Sequence, residues 1–108
     1  MDEKKWHYDK LVRDRIPEII EGSGKSCEIE TLSEEDYRKY LYQKLLEETQ
    51  EFDASKEIEE LADIVEVIEA ILRTRNVSKA EFQFIRNKKR EKKGAFEKRL
   101  LLKSVMEK

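Results

Sequence analysis

Glu48 interrupts an apolar row. An α-helix turns by roughly 100° per residue, so Tyr37, Leu41, Leu45 and Phe52 fall along one side of a single helix, with Glu48 between the last two. Glu51 lies one turn along the flank of that row. A second acidic pair follows at Glu60-Leu61-Ala62-Asp63. On its helix, Ile58, Leu61, Val65, Ile68 and Leu72 form the main apolar row, widened by Ile64, Val67 and Ile71. Glu60 and Asp63 stand at i and i+3 on the edge of the widened face, beside Ile64 and Val67. The pattern predicts two helices whose acids point into a bundle.

A buried, unpaired carboxylate costs roughly several kcal/mol and tends to take up a proton instead. Four together repel one another and require a positive partner. A hard divalent cation accepts carboxylate oxygens in this way and keeps waters and substrate phosphates as its other ligands. Two bundle helices that each offer acids at i and i+3 can build such a site. The plainer alternative is a salt-bridged interior, with Lys44 or another basic residue as partner. In a chain that is 44% charged, many carboxylates carry no such meaning.

The length of 108 residues predicts one domain, and a domain this small buries a modest share of its surface. Only 38% of the residues are hydrophobic, yet the apolar rows are wide, so the bundle is expected to be completed by a second copy of the chain. With 23 basic against 25 acidic residues, near-neutrality gives no case for general nucleic-acid binding. The charges are unevenly placed: the acids cluster in the middle, and residues 86–99 are strongly basic. Cys27 is the single cysteine and reads as a bland free thiol; the single histidine, His7, reads as an ordinary surface residue. Residues 1–5 are charged and lack an apolar signal core, and no apolar run approaches the length of a membrane span. The expectation is a cytoplasmic protein with no membrane contact.

In order along the chain, Trp6, Tyr8, Leu11 and Val12 suggest a short extended piece. Arg13-Asp14-Arg15-Ile16-Pro17 predicts a helix start, with Asp14 as cap and Pro17 in the first turn. Ile16, Ile19 and Ile20 give that helix a short buried stripe, and Gly22-Ser23-Gly24 ends it. Residues 27–32 alternate as a strand would, with residues 99–102 as the best pairing candidate. Ser33 with Asp36 predicts the start of a helix over about 34–52. Asp53-Ala54-Ser55 reads as a tight turn, with Ser55 capping a helix over about 56–75. Short loops make neighbours antiparallel, so the two form a hairpin. That register puts Glu51 and Glu60 near one end, with Glu48 and Asp63 about a turn deeper. Asn76-Val77-Ser78 breaks the second helix, Ser78 and Glu81 form a capping box for a third over about 79–92, and Gly94 ends it.

On the last helix, Phe82, Phe84 and Ile85 supply the expected buried side, and Lys89 and Lys93 continue it at i, i+4. A solvated helix C-terminus would by itself favour lysines. The functional alternative is that Lys89, Lys93 and Arg99 reach the phosphates of a ligand held on the metal, lysine acting as a point charge on a flexible stem. Walker, GxGxxG, CxxC, HExxH and GxSxG motifs are absent, which disfavours phosphate-loop, zinc and serine-nucleophile chemistries.

Glu47-Glu48-x-x-Glu51 followed by Glu60-x-x-Asp63 resembles the EExxE…ExxD signature of the MazG-like all-α nucleotide pyrophosphohydrolases, which phosphoribosyl-ATP pyrophosphohydrolase shares. The run from Tyr8-Asp9-Lys10-Leu11-Val12-Arg13 to Asp14-Arg15-Ile16-Pro17 is similar to the opening of the small phosphoribosyl-ATP pyrophosphohydrolase-like members. Residues 88–99 are similar to their closing basic segment. The resemblance covers nearly the whole chain. It implies an all-α bundle, magnesium (or manganese) as cofactor, subunits associated as homodimers or higher, and hydrolysis of a nucleoside triphosphate to monophosphate and pyrophosphate. Metal-ligand roles then go to Glu48, Glu51, Glu60 and Asp63. Glu47 becomes the added acid that orients or deprotonates water, and Arg13, Lys89, Lys93 and Arg99 bind substrate. Two departures stand out: the gap between Glu51 and Glu60 is short, and Lys93-Gly94-Ala95 replaces the expected Arg-Gly-Gly, giving up a bidentate phosphate grip.

Two rival readings accompany this one. The acid cluster of a non-catalytic helical interaction module would be structural only. A true histidine-biosynthetic enzyme would act on phosphoribosyl-ATP, although the extensions at both ends are unlike that enzyme's compact bundle.

Overall fold

A computed structural model describes residues 6–108; the charged lead of residues 1–5 lies outside the described residues. Among the described residues there are four α-helices and no strand: α1 (Ile16–Gly22), α2 (Glu34–Ser55), α3 (Ile58–Thr74) and α4 (Lys79–Lys93). The expected all-α architecture is observed. The pairing expected between residues 27–32 and 99–102 is not: neither segment is a strand, and Leu100, Leu101 and Leu102 are exposed. Alternation alone does not supply the ladder partner that a strand requires. No helix among the described residues is long and apolar enough to cross a membrane. The chain divides into two compact units, Met1–Asn76 and Val77–Lys108.

The first unit is organised by the antiparallel pair α2 and α3. The Ser33 hydroxyl accepts a hydrogen bond from the Asp36 backbone N–H at 3.2 Å, which fixes the start of α2 where the sequence placed it. The far end differs from expectation. Residues 53–55, read as a tight turn, remain helical, and α2 stops at Lys56, a left-handed cap with φ 59° whose N–H donates to the Phe52 carbonyl. The side chain of Lys56 also pairs with Asp53 at 2.8 Å. Ser55 does not cap α3; its N-cap is Glu57, with no side-chain hydrogen bond, and the Ser55 hydroxyl accepts from the Glu57 N–H at 3.2 Å.

The core consists of Leu41, Val67 and Ala70, with Leu11, Tyr37, Leu45 and Ile71 half-buried against it. On α2 the expected apolar row is the one used. On α3 it is not. Ile58, Leu61 and Val65, the first half of the expected main row, are 73%, 40% and 52% exposed, and Val67 and Ala70 on the flank are buried instead. A helix of this width offers more apolar surface than one neighbour can cover, and α2 takes the side that also carries Glu60 and Asp63.

Helix α1 begins at Ile16 behind Arg15, which gives no side-chain cap; the capping role expected of Asp14 is absent because the helix starts one residue later than that role requires. Pro17 stands in the first turn as expected. Of its stripe, Ile16 and Ile20 are half-buried and Ile19 is exposed. In the second unit, α4 has the expected capping box: the Ser78 hydroxyl accepts from the Glu81 N–H at 3.1 Å and lies 3.2 Å from Glu81 Oε1. Gly94 ends the helix at φ 83°, a left-handed conformation suited to glycine. The buried side expected for α4 is reduced to Phe82, which is half-buried, because Phe84 and Ile85 are exposed.

Candidate metal centre

Near the hairpin turn, α2 contributes Glu48 and α3 contributes Glu60 and Asp63. One carboxylate oxygen from each lies within 4.8 Å of the others. Glu48 is 6% exposed and is the one buried charged residue among those described. Glu60 and Asp63 are half-buried. The register explains this grouping. Helix α2 runs three residues past the expected end, so the crossover comes later and Glu48, not Glu51, faces the α3 acids. Glu51 is exposed and falls outside the three-oxygen group, although its carboxyl is close enough to affect Glu48.

Two oxygens in this cluster are buried with no hydrogen-bond partner: Glu48 Oε2 and Glu60 Oε2. Buried polar atoms are seldom left so, because the desolvation cost is unrecovered. The other Glu48 oxygen, Oε1, lies 3.2 Å from Lys44 Nζ one turn earlier on α2, and the same ammonium lies 3.6 Å from Glu47 Oε2. Lys44 is therefore the basic partner that a salt-bridged interior requires, but it serves one side of Glu48 only. Burial pushes the Glu48 carboxyl above its ordinary range; Lys44 opposes that rise, and the nearby Glu51 carboxyl adds to it.

Asp63 has a different counter-ion. Arg13, in the segment before α1, places Nη2 2.5 Å from Asp63 Oδ1 across fifty residues of sequence. The sequence reading gives Arg13 to the substrate; in the structure it pairs with a candidate metal ligand. The signal available in the sequence was indirect. Leu11, two residues earlier, is an apolar anchor that packs against the core, and an arginine that close to it must lie near the helix pair.

Oxygen donors of this kind, two of them with a buried oxygen that lacks a hydrogen-bond partner, fit a hard divalent cation such as magnesium or manganese. Glu47 is half-buried beside the cluster. Lys89, Lys93 and Arg99 belong to the second unit and are exposed; Arg99 has φ 55°. The two units differ sharply in charge. Val77–Lys108 has eleven basic residues against four acidic, whereas Met1–Asn76 has twelve against twenty-one. Cys27 is a half-buried free thiol, and His7 is exposed.

No family model matches the chain, and no solved structure matches it. A curated relative, an uncharacterized protein of Mycolicibacterium smegmatis, is 50% identical over 46 residues, which is 43% of this chain and 47% of that protein. The chain thus matches about half the length of that relative.

Proposed function

We propose that this chain is a magnesium-dependent nucleotide pyrophosphohydrolase that cleaves a nucleoside triphosphate to monophosphate and pyrophosphate. The observation that carries the proposal is the pair of buried, partnerless oxygens on Glu48 and Glu60, grouped with Asp63 at the hairpin end. The sequence resemblance described above supplies the reaction class. In this reading Glu48, Glu60 and Asp63 hold the cation, with Glu51 joining from the flank. A cation held there would neutralise charge on the phosphates and make the attacking water easier to deprotonate.

The rest of the chemistry belongs to side chains. Water attacks the α-phosphorus, the bond to the bridging oxygen of the β-phosphate breaks, and the proton from water passes to a carboxylate. Glu47, beside the cluster and outside its three-oxygen group, suits that acceptor role. The resemblance gives the exposed Lys89, Lys93 and Arg99 the role of binding substrate phosphates. The exposed row Ile58, Leu61 and Val65 supports a homodimer in which a second copy covers α3.

The test is pyrophosphate release from a panel of nucleotides, phosphoribosyl-ATP included, with and without magnesium. Magnesium-dependent turnover of one or more triphosphates is expected. Preference for phosphoribosyl-ATP over all of them would move the chain to histidine biosynthesis. No turnover of any, with Glu48→Gln leaving stability and metal response unchanged, would favour a structural cluster in an interaction module, a reading to which the Lys44 and Arg13 ion pairs lend weight.

A further inference from the structure

The ion pair between Arg13 and Asp63 is the longest-range ion pair among the described residues, and it ends on a residue of the acidic cluster. Its two ends are held differently. Asp63 is fixed by α3. Arg13 lies in a non-helical segment pinned by Leu11 on one side and by a turn on the other, where the Ile16 N–H donates to the Arg13 carbonyl at 3.0 Å. The Arg13 side chain is 57% exposed and that of Asp63 37%. An ion pair this open to water is weak, and it shifts an equilibrium by no more than about fivefold. Lys44, 17% exposed and on the same helix as its partner, is by contrast built in.

We infer that Arg13 is an exchangeable counter-ion for the acidic cluster, displaced from Asp63 when a divalent cation binds, so that cation binding releases the segment before α1. The inference rests on the metal reading of Glu48, Glu60 and Asp63. Its physical basis is like-charge exclusion. A cation held by the three carboxylates stands within a few ångströms of the guanidinium and repels it at short range. The same Asp63 carboxylate cannot serve both at full strength. Coupling of this sort is reciprocal: whatever the guanidinium takes from cation affinity, the cation takes from the Arg13 contact.

The cluster also explains why a displaceable cation is useful. Two of its oxygens already lack partners, and without Arg13 a third carboxylate would join them in mutual repulsion. A guanidinium on the half-exposed Asp63 relieves that carboxylate and leaves the orphaned oxygens of Glu48 and Glu60 unanswered. The released arginine then carries its charge at the mouth of a site proposed to receive a polyanion.

Manganese binding measured by electron paramagnetic resonance on the full chain tests the exchange. Arg13→Ala is expected to bind manganese about two- to fivefold more tightly than the parent, and Arg13→Lys, which restores the charge without the fork, to fall between them. The single tryptophan, Trp6, lies seven residues before Arg13 and reports on the segment. Its fluorescence anisotropy should fall when magnesium saturates the parent protein. In metal-free Arg13→Ala it should already be low, and should not respond to magnesium. Weaker or unchanged manganese affinity in Arg13→Ala would overturn the inference, the weaker case showing that the guanidinium orients Asp63 as a ligand. Manganese bound by neither protein would remove the metal reading itself, and the exchange with it. Manganese bound normally by the parent with no anisotropy change would overturn the exchange alone.

Discussion

Lys44 holds one oxygen of Glu48 at 3.2 Å and leaves the other buried without a hydrogen-bond partner, on a carboxylate grouped with those of Glu60 and Asp63. The two residues are one turn apart on α2, so the pair forms wherever the helix forms. One oxygen of the Glu48 carboxylate is thereby answered from within its own helix, and the other is not.

Lys44→Met is expected to destabilise the metal-free protein by about 1–3 kcal/mol, because a buried carboxylate then has no counter-charge. The same variant should gain more than the parent from added magnesium, since the cation answers more of the charge. Urea titrations at zero and saturating magnesium give both numbers. An equal magnesium increment in parent and variant would separate Lys44 from the cation site.

Acidity gives a second handle. The Glu48 carboxyl is raised in the folded protein, chiefly by burial. The folded state therefore binds this proton more tightly than the unfolded state does. The stabilisation is fully present below the ordinary value of 4.5 and is lost as pH rises through the elevated folded value. Metal-free protein should accordingly lose stability from this group as pH rises above the ordinary carboxylate value, and Glu48→Gln should flatten that slope. With saturating magnesium the slope should shrink or reverse, because a cation prefers the ionised carboxylate. Thermal midpoints measured from pH 4.5 upward, with and without magnesium, check the sign. A parent slope identical to that of Glu48→Gln would show that Glu48 does not titrate in this range.

The α3 surface predicts assembly. Ile58, Leu61 and Val65 form an exposed apolar row along one helix. Val65→Glu places a charge in the middle of it and should leave helix content unchanged while dissociating the proposed dimer. Light scattering of parent and variant over micromolar concentrations reads this directly. A parent mass equal to one chain at every concentration would show that the row is not covered by a second copy.

Most helix boundaries are legible in the sequence because their signals are local. Ser33, Ser78, Glu81, Asn76 and Gly94 act through nearby backbone, and all mark boundaries close to those observed. The turn differs from its sequence reading for a physical reason: Asp53, Ala54 and Ser55 have turn propensities, but the Asp53–Lys56 pair supports one more helical turn and the left-handed Lys56 ends α2 only after Ser55. That small extension changes which acids meet, putting Glu48 opposite Glu60 and Asp63. The face of α3 was misassigned because periodicity marks which residues are apolar, not which of two apolar sides faces the neighbouring helix. The Arg13–Asp63 contact spans fifty residues and follows from packing, which no local pattern encodes.

The final prediction separates chemistry from binding. Glu47 lies next to Glu48 in sequence but about 100° around the helix. It stands outside the three-oxygen group, with its Oε2 3.6 Å from Lys44 Nζ. If it accepts the proton from the attacking water, Glu47→Gln should keep its magnesium-dependent gain in stability and lose about 10²–10⁴-fold in kcat. Lys89→Ala and Lys93→Ala remove exposed charges from the basic unit. They should raise KM with little change in kcat, and more so at low ionic strength, where screening is weak. Glu60→Gln should differ from all of these by losing the magnesium-dependent gain itself, because one of the two orphaned oxygens is then an amide atom. Steady-state kinetics at fixed free magnesium, paired with thermal midpoints, place each variant. Parental kcat in Glu47→Gln would transfer the proton acceptor to another group. Parental KM in both lysine variants would take the basic helix out of substrate binding while leaving the acidic cluster its role.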